Sequence, residues 1–270
     1  MRDRRIAMEP RRFEQYEHAV TRAGAELAPL DSSVEALIWT DYARPELLRA
    51  TLDANPQLKW VQLPFAGVDA FVEVLQRDLT FTCAKGSFAE PVAEHALALT
   101  LALARKLPTR VRATAWGEKF AFSLFGAEVL ILGGGGITEQ LVALLKPFDV
   151  KITVLRKHPQ HMAGVDRVDD LHSLNECLAT ADVVVLALSL TAETTELFDL
   201  ERLGSMKPSA YLVNIARGRH VVLDDLLTAL DRGLLAGAAL DVTYPEPLPD
   251  NHAAFGREDL IITPHTADTN

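Results

Sequence analysis

Short runs of consecutive apolar residues recur through the second half of the chain, each flanked by segments with helical spacing. In order they are EVLIL (128–132), KITVL (151–155), DVVVLAL (182–188), AYLVNI (210–215), GAALDV (237–242) and LIITP (260–264). Helical patterns such as ITEQLVALLK, DLHSLNECLA and LDDLLTALDRG separate most of them. A run that is apolar at every position, instead of alternating, marks a strand covered on both faces, and intervening helices imply parallel pairing. The pattern predicts an α/β fold with a doubly wound parallel sheet.

The first half alternates more loosely. From about Pro10 to Gly86 a polar helical stretch, RRFEQYEHAVTRAG, leads to a short strand near AELAPL and another at ALIWT. A helix from about Pro45, a strand at LKWVQLP, a short helix from about Val68 and a strand at LTFTCA complete it. This order predicts a smaller α/β domain over residues 1–88. From Ala89 to Lys106, AEPVAEHALALTLALARK is apolar nearly all round, as a helix buried between two layers or two domains would be. It opens a second domain expected over 89–265. Broken by Glu94 and His95, the helix falls short of the roughly 20 apolar residues of a membrane span.

Ligands of such sheets bind just beyond the carboxyl ends of the strands, so candidate chemistry is sought there. After EVLIL come Gly133-Gly134-Gly135-Gly136-Ile137-Thr138 and then a helix. G-x-G-x-x-G fits through Gly133 and Gly135, with Thr138 in the third glycine's place. Strand, glycines and helix follow in the order that brings a pyrophosphate to free N–H groups, and Gly133, Gly135, Gly136 and Ile137 would hold it. A Gly-rich turn without a ligand is the alternative. NAD sites usually carry an acid beyond the second strand. KITVLRKHP has none from Lys151 to Pro159 and offers Arg156 and Lys157 instead. Two cations favour the 2′-phosphate of NADP; NAD stays possible, and a solvated basic loop is the bland alternative.

Three further strand ends bear chemistry. NIARG closes the fourth run with Arg217, whose planar fork suits a carboxylate or phosphate, although alone it could equally cap a helix or pair with a neighbouring acid. The fifth run passes through Asp241 into DVTYPEPLP, and the sixth ends at TPH with His265. An arginine to fix a carboxylate, a histidine to move a proton and an acid to orient the imidazole and raise its pKa would, beside a nicotinamide, reduce a 2-oxo acid.

Composition narrows the partners. The 270 residues allow two domains; 49% are hydrophobic and 24% charged, as in an ordinary globular protein. A net charge of -10 argues against a nucleic-acid or anionic-membrane binder and leaves small anionic ligands open. Cys83 and Cys177 lie far apart in apolar sequence and are expected to be buried free thiols. The N-terminal stretch, charged throughout, lacks the apolar core of an export signal, so a cytoplasmic protein is expected. His158 and His161 are spaced H-x-x-H on a proline-bearing turn without a third ligand, so no metal site is expected. His95 is expected to be a satisfied core or interface residue, and His18, His172, His220 and His252 to sit in polar surroundings without a role.

The motifs PFAGVD (64–69), AEPVAEHALALTLALAR, ILGGGGI, LVNIARG, GAALDVTYPEPLP and ITPHTA occur in this order. On them the chain resembles the D-isomer-specific 2-hydroxyacid dehydrogenases over nearly its whole length, and looks closest to the glyoxylate/hydroxypyruvate reductase-like branch. The resemblance implies a Rossmann cofactor domain with a smaller flavodoxin-like α/β substrate domain, NADPH as the favoured cofactor, a small 2-oxo or 2-hydroxy acid as substrate, and a homodimer. It makes Arg217 the carboxylate-binding arginine, Glu246 the partner of the catalytic histidine and His265 the proton donor. Ala66, Gly67 and Val68 would turn backbone N–H groups to the substrate carboxylate, and Asp241 would sit by the nicotinamide carboxamide, with Ala216 also at the cofactor. Thr138 departs from the third glycine, and Ser189 from a proline frequent before Leu-Thr. In the family a further helix returns to the first domain, of which residues 266–270 would be the stub. A sensor that binds a dinucleotide without catalysis is the alternative from another class; a formate dehydrogenase is the nearer rival, and Glu246 speaks against it.

Overall fold

The computed structural model describes residues 5–269. The chain divides into two compact units, one ending at Ser87 and the other beginning at Phe88.

The first unit runs β1 (Arg5–Glu9), α1 (Glu14–Arg22), β2 (Glu26–Leu27), β3 (Ala36–Trp39), α2 (Pro45–Ala54), β4 (Trp60–Leu63) and β5 (Thr80–Cys83). Its strands are all parallel, in the order β2-β1-β3-β4-β5, which is the flavodoxin-like arrangement. The hydrophobic pattern predicts no strand before Pro10, yet β1 lies inside the sheet. Its apolar content is three residues between Arg5 and Glu9, and pairing on both sides buries Ala7 and Met8. The helix expected from Val68 is instead two 3-10 turns, Asp69–Phe71 and Val74–Gln76. Phe71 is fully buried and stacks on Phe65 at 5.3 Å, which pins the loop between them.

The second unit begins with α3 (Ala89–Ala104) and α4 (Leu107–Arg112), followed by β6 (Glu128–Leu132), α5 (Gly136–Leu145), β7 (Lys151–Leu155), β8 (Arg167–Asp169) and α6 (Leu174–Leu178). It continues with β9 (Val183–Leu186), α7 (Leu200–Gly204), β10 (Tyr211–Asn214), α8 (Leu223–Asp231), β11 (Gly237–Leu240) and β12 (Leu260–Ile262). The sheet is wholly parallel, in the order β12-β11-β10-β9-β6-β7-β8. From β6 the chain builds outward to β8, then returns to build outward from β9, so the order reverses between β6 and β9. That is where a doubly wound sheet opens its ligand crevice. Seven strands stand where the apolar runs predict six. The extra one, β8, is an edge strand of sequence RVD, and edges are kept short and polar.

The pleat sorts side chains to two faces. Val129, Ile131, Val183, Val185 and Val213 point to α3 and α5, while Leu130, Leu132, Val184, Leu186 and Leu212 point to α6, α7 and α8. With both faces covered, alternation disappears from the sequence, and each such side chain contributes about 1.5–3 kcal/mol of burial. Cys177 is buried, but Cys83 is only half-buried, because β5 is the edge of its sheet; both are free. Among the described residues no helix is long and apolar enough to cross a membrane.

Candidate active site

Register sets the level of the site. Leu155, Leu132, Leu186, Asn214, Leu240 and Ile262 form one row across six strands. One residue beyond that row stand Arg156, Gly133, Ala187, Ile215, Asp241 and Thr263. Three candidates from distant parts of the sequence therefore begin at one height.

Gly133 sits at the crevice between β6 and β9 with φ +110°, and a Cβ on it would lie 2.2 Å from the Ala187 carbonyl oxygen. Only glycine fits such an approach. Thr138 is fully buried and its Oγ1 donates to the Gly133 carbonyl at 2.7 Å, so in place of the third glycine a side chain ties the turn from within. Gly135 caps α5, whose first residues are Gly136 and half-buried Ile137, and the space beside its Cα is open. The Arg156 side chain lies across this loop: its Cδ and Nε are 2.8 and 2.9 Å from where a Gly134 Cβ would stand. Lys157 next to it is exposed. An open glycine at the start of a ten-residue helix, with an arginine arm across the glycine before it, fits a phosphate-bearing dinucleotide.

One acid near this loop went unread in the sequence. Asp169 ends β8, and its carbonyl accepts the Arg156 N–H at 2.9 Å. Its carboxylate is taken up by Ser173 Oγ, Arg167 Nη2 and the Asp170 N–H, with Ser173 foremost in holding its pKa at about 2.

Beyond β10 the turn is shaped by buried Asn214, which the sequence reading also passed over. Its Nδ2 donates to the Arg217 carbonyl at 2.9 Å and its Oδ1 accepts the Ala216 N–H at 3.0 Å. Ala216 is buried in the core below, and its carbonyl accepts Arg217 Nη1 at 2.7 Å. A Cβ on Gly218 would stand 1.9 Å from the Thr243 carbonyl oxygen, so the loop of Arg217 rests backbone to backbone on the loop that carries Glu246. The Thr243 N–H reaches Glu246 Oε2 at 3.3 Å.

Glu246 Oε1 in turn meets His265 Nδ1 at 2.6 Å, with the two side chains 41% and 44% exposed. The bond to Glu246 raises the His265 pKa; burial and Arg217 oppose it, and the charges of Glu246 and Asp241 add to it. For Glu246, burial alone would raise the pKa, but the hydrogen bond and charge of His265, the Thr243 N–H and Arg217 together hold it below the ordinary value. An imidazole whose Nδ1 is held by a carboxylate binds its proton more firmly than a free one and keeps its other nitrogen for proton exchange, which is what a general acid or base needs.

Asp241 is 1% exposed, and its oxygens accept Thr263 Oγ1 and the N–H groups of Thr266 and Ala267. It acts here as the internal anchor of the turn that carries His265, a task separate from the nicotinamide contact expected of it. Ala66, Gly67 and Val68 follow β4 in the first unit; Gly67 and Val68 are half-buried, and the Val68 carbonyl accepts the Phe71 N–H at 2.9 Å. His220 departs from expectation. It is fully buried, with Nδ1 2.8 Å from the Thr194 carbonyl and Nε2 3.2 Å from that of Leu188, so it straps the loop after β9 to the turn after Arg217. His158 and His161 are exposed.

A sequence model of the NAD binding domain of D-isomer specific 2-hydroxyacid dehydrogenases matches residues 97–267. The human glyoxylate reductase/hydroxypyruvate reductase is 32% identical over 239 residues, covering 84% of this chain and 72% of the relative. A solved D-isomer specific 2-hydroxyacid dehydrogenase family protein of Aeromonas salmonicida superposes with a TM-score of 0.85 at 31% identity, covering 98% of this chain and 90% of the other. A D-isomer specific 2-hydroxyacid dehydrogenase of Xanthobacter autotrophicus, solved with NADPH and MES, gives 0.84 at 25% identity over 98% and 89% of the two chains.

The backbone contact at Gly218 is testable. Gly218→Ala should destabilise the protein by about 1–3 kcal/mol, the usual cost of overpacking, in urea denaturation. It should also lower the His265 titration midpoint as the Glu246 loop is pushed away; an unchanged unfolding curve would show the two loops to be only loosely apposed.

Proposed function

The chain belongs to the D-isomer-specific 2-hydroxyacid dehydrogenases, a family of NAD(P)-dependent oxidoreductases, and from that premise we propose that it reduces a small 2-oxo acid of the glyoxylate or hydroxypyruvate kind to the 2-hydroxy acid, preferring NADPH. The observation that carries the proposal is the His265–Glu246 pair at 2.6 Å beside the loop of Arg217.

The dinucleotide, when bound along Gly133, Gly135, Gly136 and Ile137, supplies the hydride. Arg217 binds the substrate carboxylate through its guanidinium fork and so orients the keto group. His265, with its Nδ1–H held by Glu246, gives its Nε2 proton to the oxygen that gains negative charge as the carbonyl is reduced. Glu246 stabilises the imidazolium beforehand and keeps the neutral ring in the Nδ1–H tautomer afterwards. In the reverse direction the same Nε2 takes the hydroxyl proton. Asp241 and Ala216 would belong to the nicotinamide side of the site, Asp241 through the turn that it anchors.

The test is NADPH oxidation with glyoxylate and with hydroxypyruvate. His265→Ala should lower kcat by about 10²- to 10⁴-fold, the range for loss of a general acid, with dinucleotide binding retained. Glu246→Gln removes the group that raises the His265 pKa, so the alkaline fall in reduction rate should move to lower pH. Dinucleotide binding by the wild type without turnover on either acid would leave a non-catalytic sensor.

The NADPH preference draws support from Arg156 lying across the glycine loop and from the engagement of Asp169 elsewhere. Replacing Arg156 with Asp and Lys157 with Ser should turn the kcat/KM ratio toward NADH. An unaltered ratio would refute this assignment of the loop.

A homodimer is the assembly we propose, with residues 107–125 as its contact. Trp116 is 92% and Val111 77% exposed, and Leu107, Phe120 and Phe125 are exposed with them. The segment is nonetheless fixed: Arg110 Nη2 binds the Phe120 carbonyl at 3.3 Å, Lys106 Nζ lies 4.4 Å from the Phe120 ring centroid, and the Phe122 N–H bonds Ala104. Five large apolar side chains left exposed along one ordered segment support its reading as an interaction face. Trp116→Asp should shift sedimentation from dimer to monomer at micromolar concentration, whereas a monomeric wild type would exclude the assembly.

A further inference from the structure

His95, on α3, has Nε2 3.1 Å from Thr263 Oγ1 and 3.4 Å from Asp241 Oδ1. Thr263 Oγ1 donates its one proton to Asp241 Oδ1 at 2.6 Å. Having spent that proton, the hydroxyl offers only lone pairs, so the ring nitrogen facing it carries a hydrogen. The chain of bonds therefore has a direction, from His95 through Thr263 to Asp241.

What lies at its end is the turn of His265. The Asp241 carboxylate accepts the N–H groups of Thr266 and Ala267 at 3.0 and 3.1 Å. Its main-chain carbonyl accepts the His265 N–H at 2.8 Å. His265 has φ +50°, in the left-handed region that a residue other than glycine keeps only when its surroundings hold it there. Successive N–H groups around such a residue make a concave nest for an anion, and the Asp241 carboxylate fills this one.

We propose that His95 is a positioning residue for His265: through Thr263 and Asp241 it locks the left-handed turn that presents the imidazole to Glu246. Its ring is 22% exposed and hydrogen-bonds toward Thr263 and Asp241, not toward Glu246 or His265, so its effect is exerted through the turn. The charged groups around His265 are Glu246 from its neighbouring loop, Arg217 from the end of β10 and Asp241 below; the one facing His95 is Asp241. Hydrogen bonds in series polarise one another, so the N–H of His95 strengthens the Thr263 bond to Asp241. Only the kinetic consequence depends on His265 being the proton donor proposed above; the positioning does not.

The test is an NMR titration of the His265 imidazole in dinucleotide-free protein, alongside steady-state kinetics, for wild type, His95→Leu, His95→Gln, Thr263→Val and the His95→Leu/Thr263→Val double variant. His95→Leu and Thr263→Val should lower the His265 titration midpoint. They should also lower kcat by about 10- to 100-fold, as for a reacting group held slightly out of place, while KM changes by less than roughly threefold. His95→Gln, whose amide nitrogen can stand near the lost Nε2, should restore both. The double variant should be no worse than the poorer single one, since residues in one chain of bonds are not additive. Titration and kcat unmoved in His95→Leu, with only thermal stability reduced, would overturn the proposal, as would a failure of His95→Gln to rescue. Should the wild type turn over no 2-oxo acid, the titrations decide the matter alone.

Discussion

A carboxylate buried at the end of β11 must be met by hydrogen-bond donors, because an unpaired charge in the interior costs far more than the fold can spare. Asp241 meets that demand by drawing the chain after β12 back over itself. Thr263 gives its hydroxyl, Thr266 and Ala267 give their N–H groups, and the residue just before Thr266 is held left-handed. That residue is His265. The imidazole stands where it does because the backbone on either side of it is satisfying a buried acid.

The same economy governs the other half of the pair. Strand register ends β10 and β11 at one level, through Asn214 paired with Leu240. Absence of a side chain at Gly218 then lets the two following loops touch through their backbones. Glu246 is thereby held over the sheet end by the loop of Arg217. The guanidinium beside it works against the proton on His265 and for the charge on Glu246, while the direct hydrogen bond decides the net result in favour of the imidazolium.

The architecture of the second unit is legible in the sequence because both faces of its sheet are covered. Continuous apolar runs announce buried parallel strands, and each strand end then becomes a place to look for chemistry. What escapes the pattern escapes for physical reasons. β1 has three apolar residues between charges, and β8 is an edge strand whose polarity is its protection. Asn214 and His220 look polar in the sequence and are fully buried: Asn214 is taken up by the N–H of Ala216 and the carbonyl of Arg217 in its own turn, and His220 lies between the carbonyls of Thr194 and Leu188, far off in sequence. Thr138 reads as a defect in the glycine motif because its hydrogen bond to Gly133 exists only once the turn has closed. Asp241 is the instructive case: its position at a strand end is plain from the sequence, but the donors that enclose it follow it by more than twenty residues.

The raised pKa of His265 also ties the state of the site to the state of the fold. A histidine whose pKa is higher folded than unfolded adds stability that is fully present below its ordinary value of about 6.5 and is lost as pH rises through the folded value. With both side chains near half exposure, solvent screening keeps that contribution modest. Its sign is the informative part. The imidazolium that would protonate a reduced carbonyl is also the form that holds the loop of Glu246 to the turn of His265 most tightly, by charge as well as by the Nδ1–H bond. On the alkaline side, loss of the proton removes the acid and loosens the two loops together, so the tightest site and the competent site coincide over one range of pH.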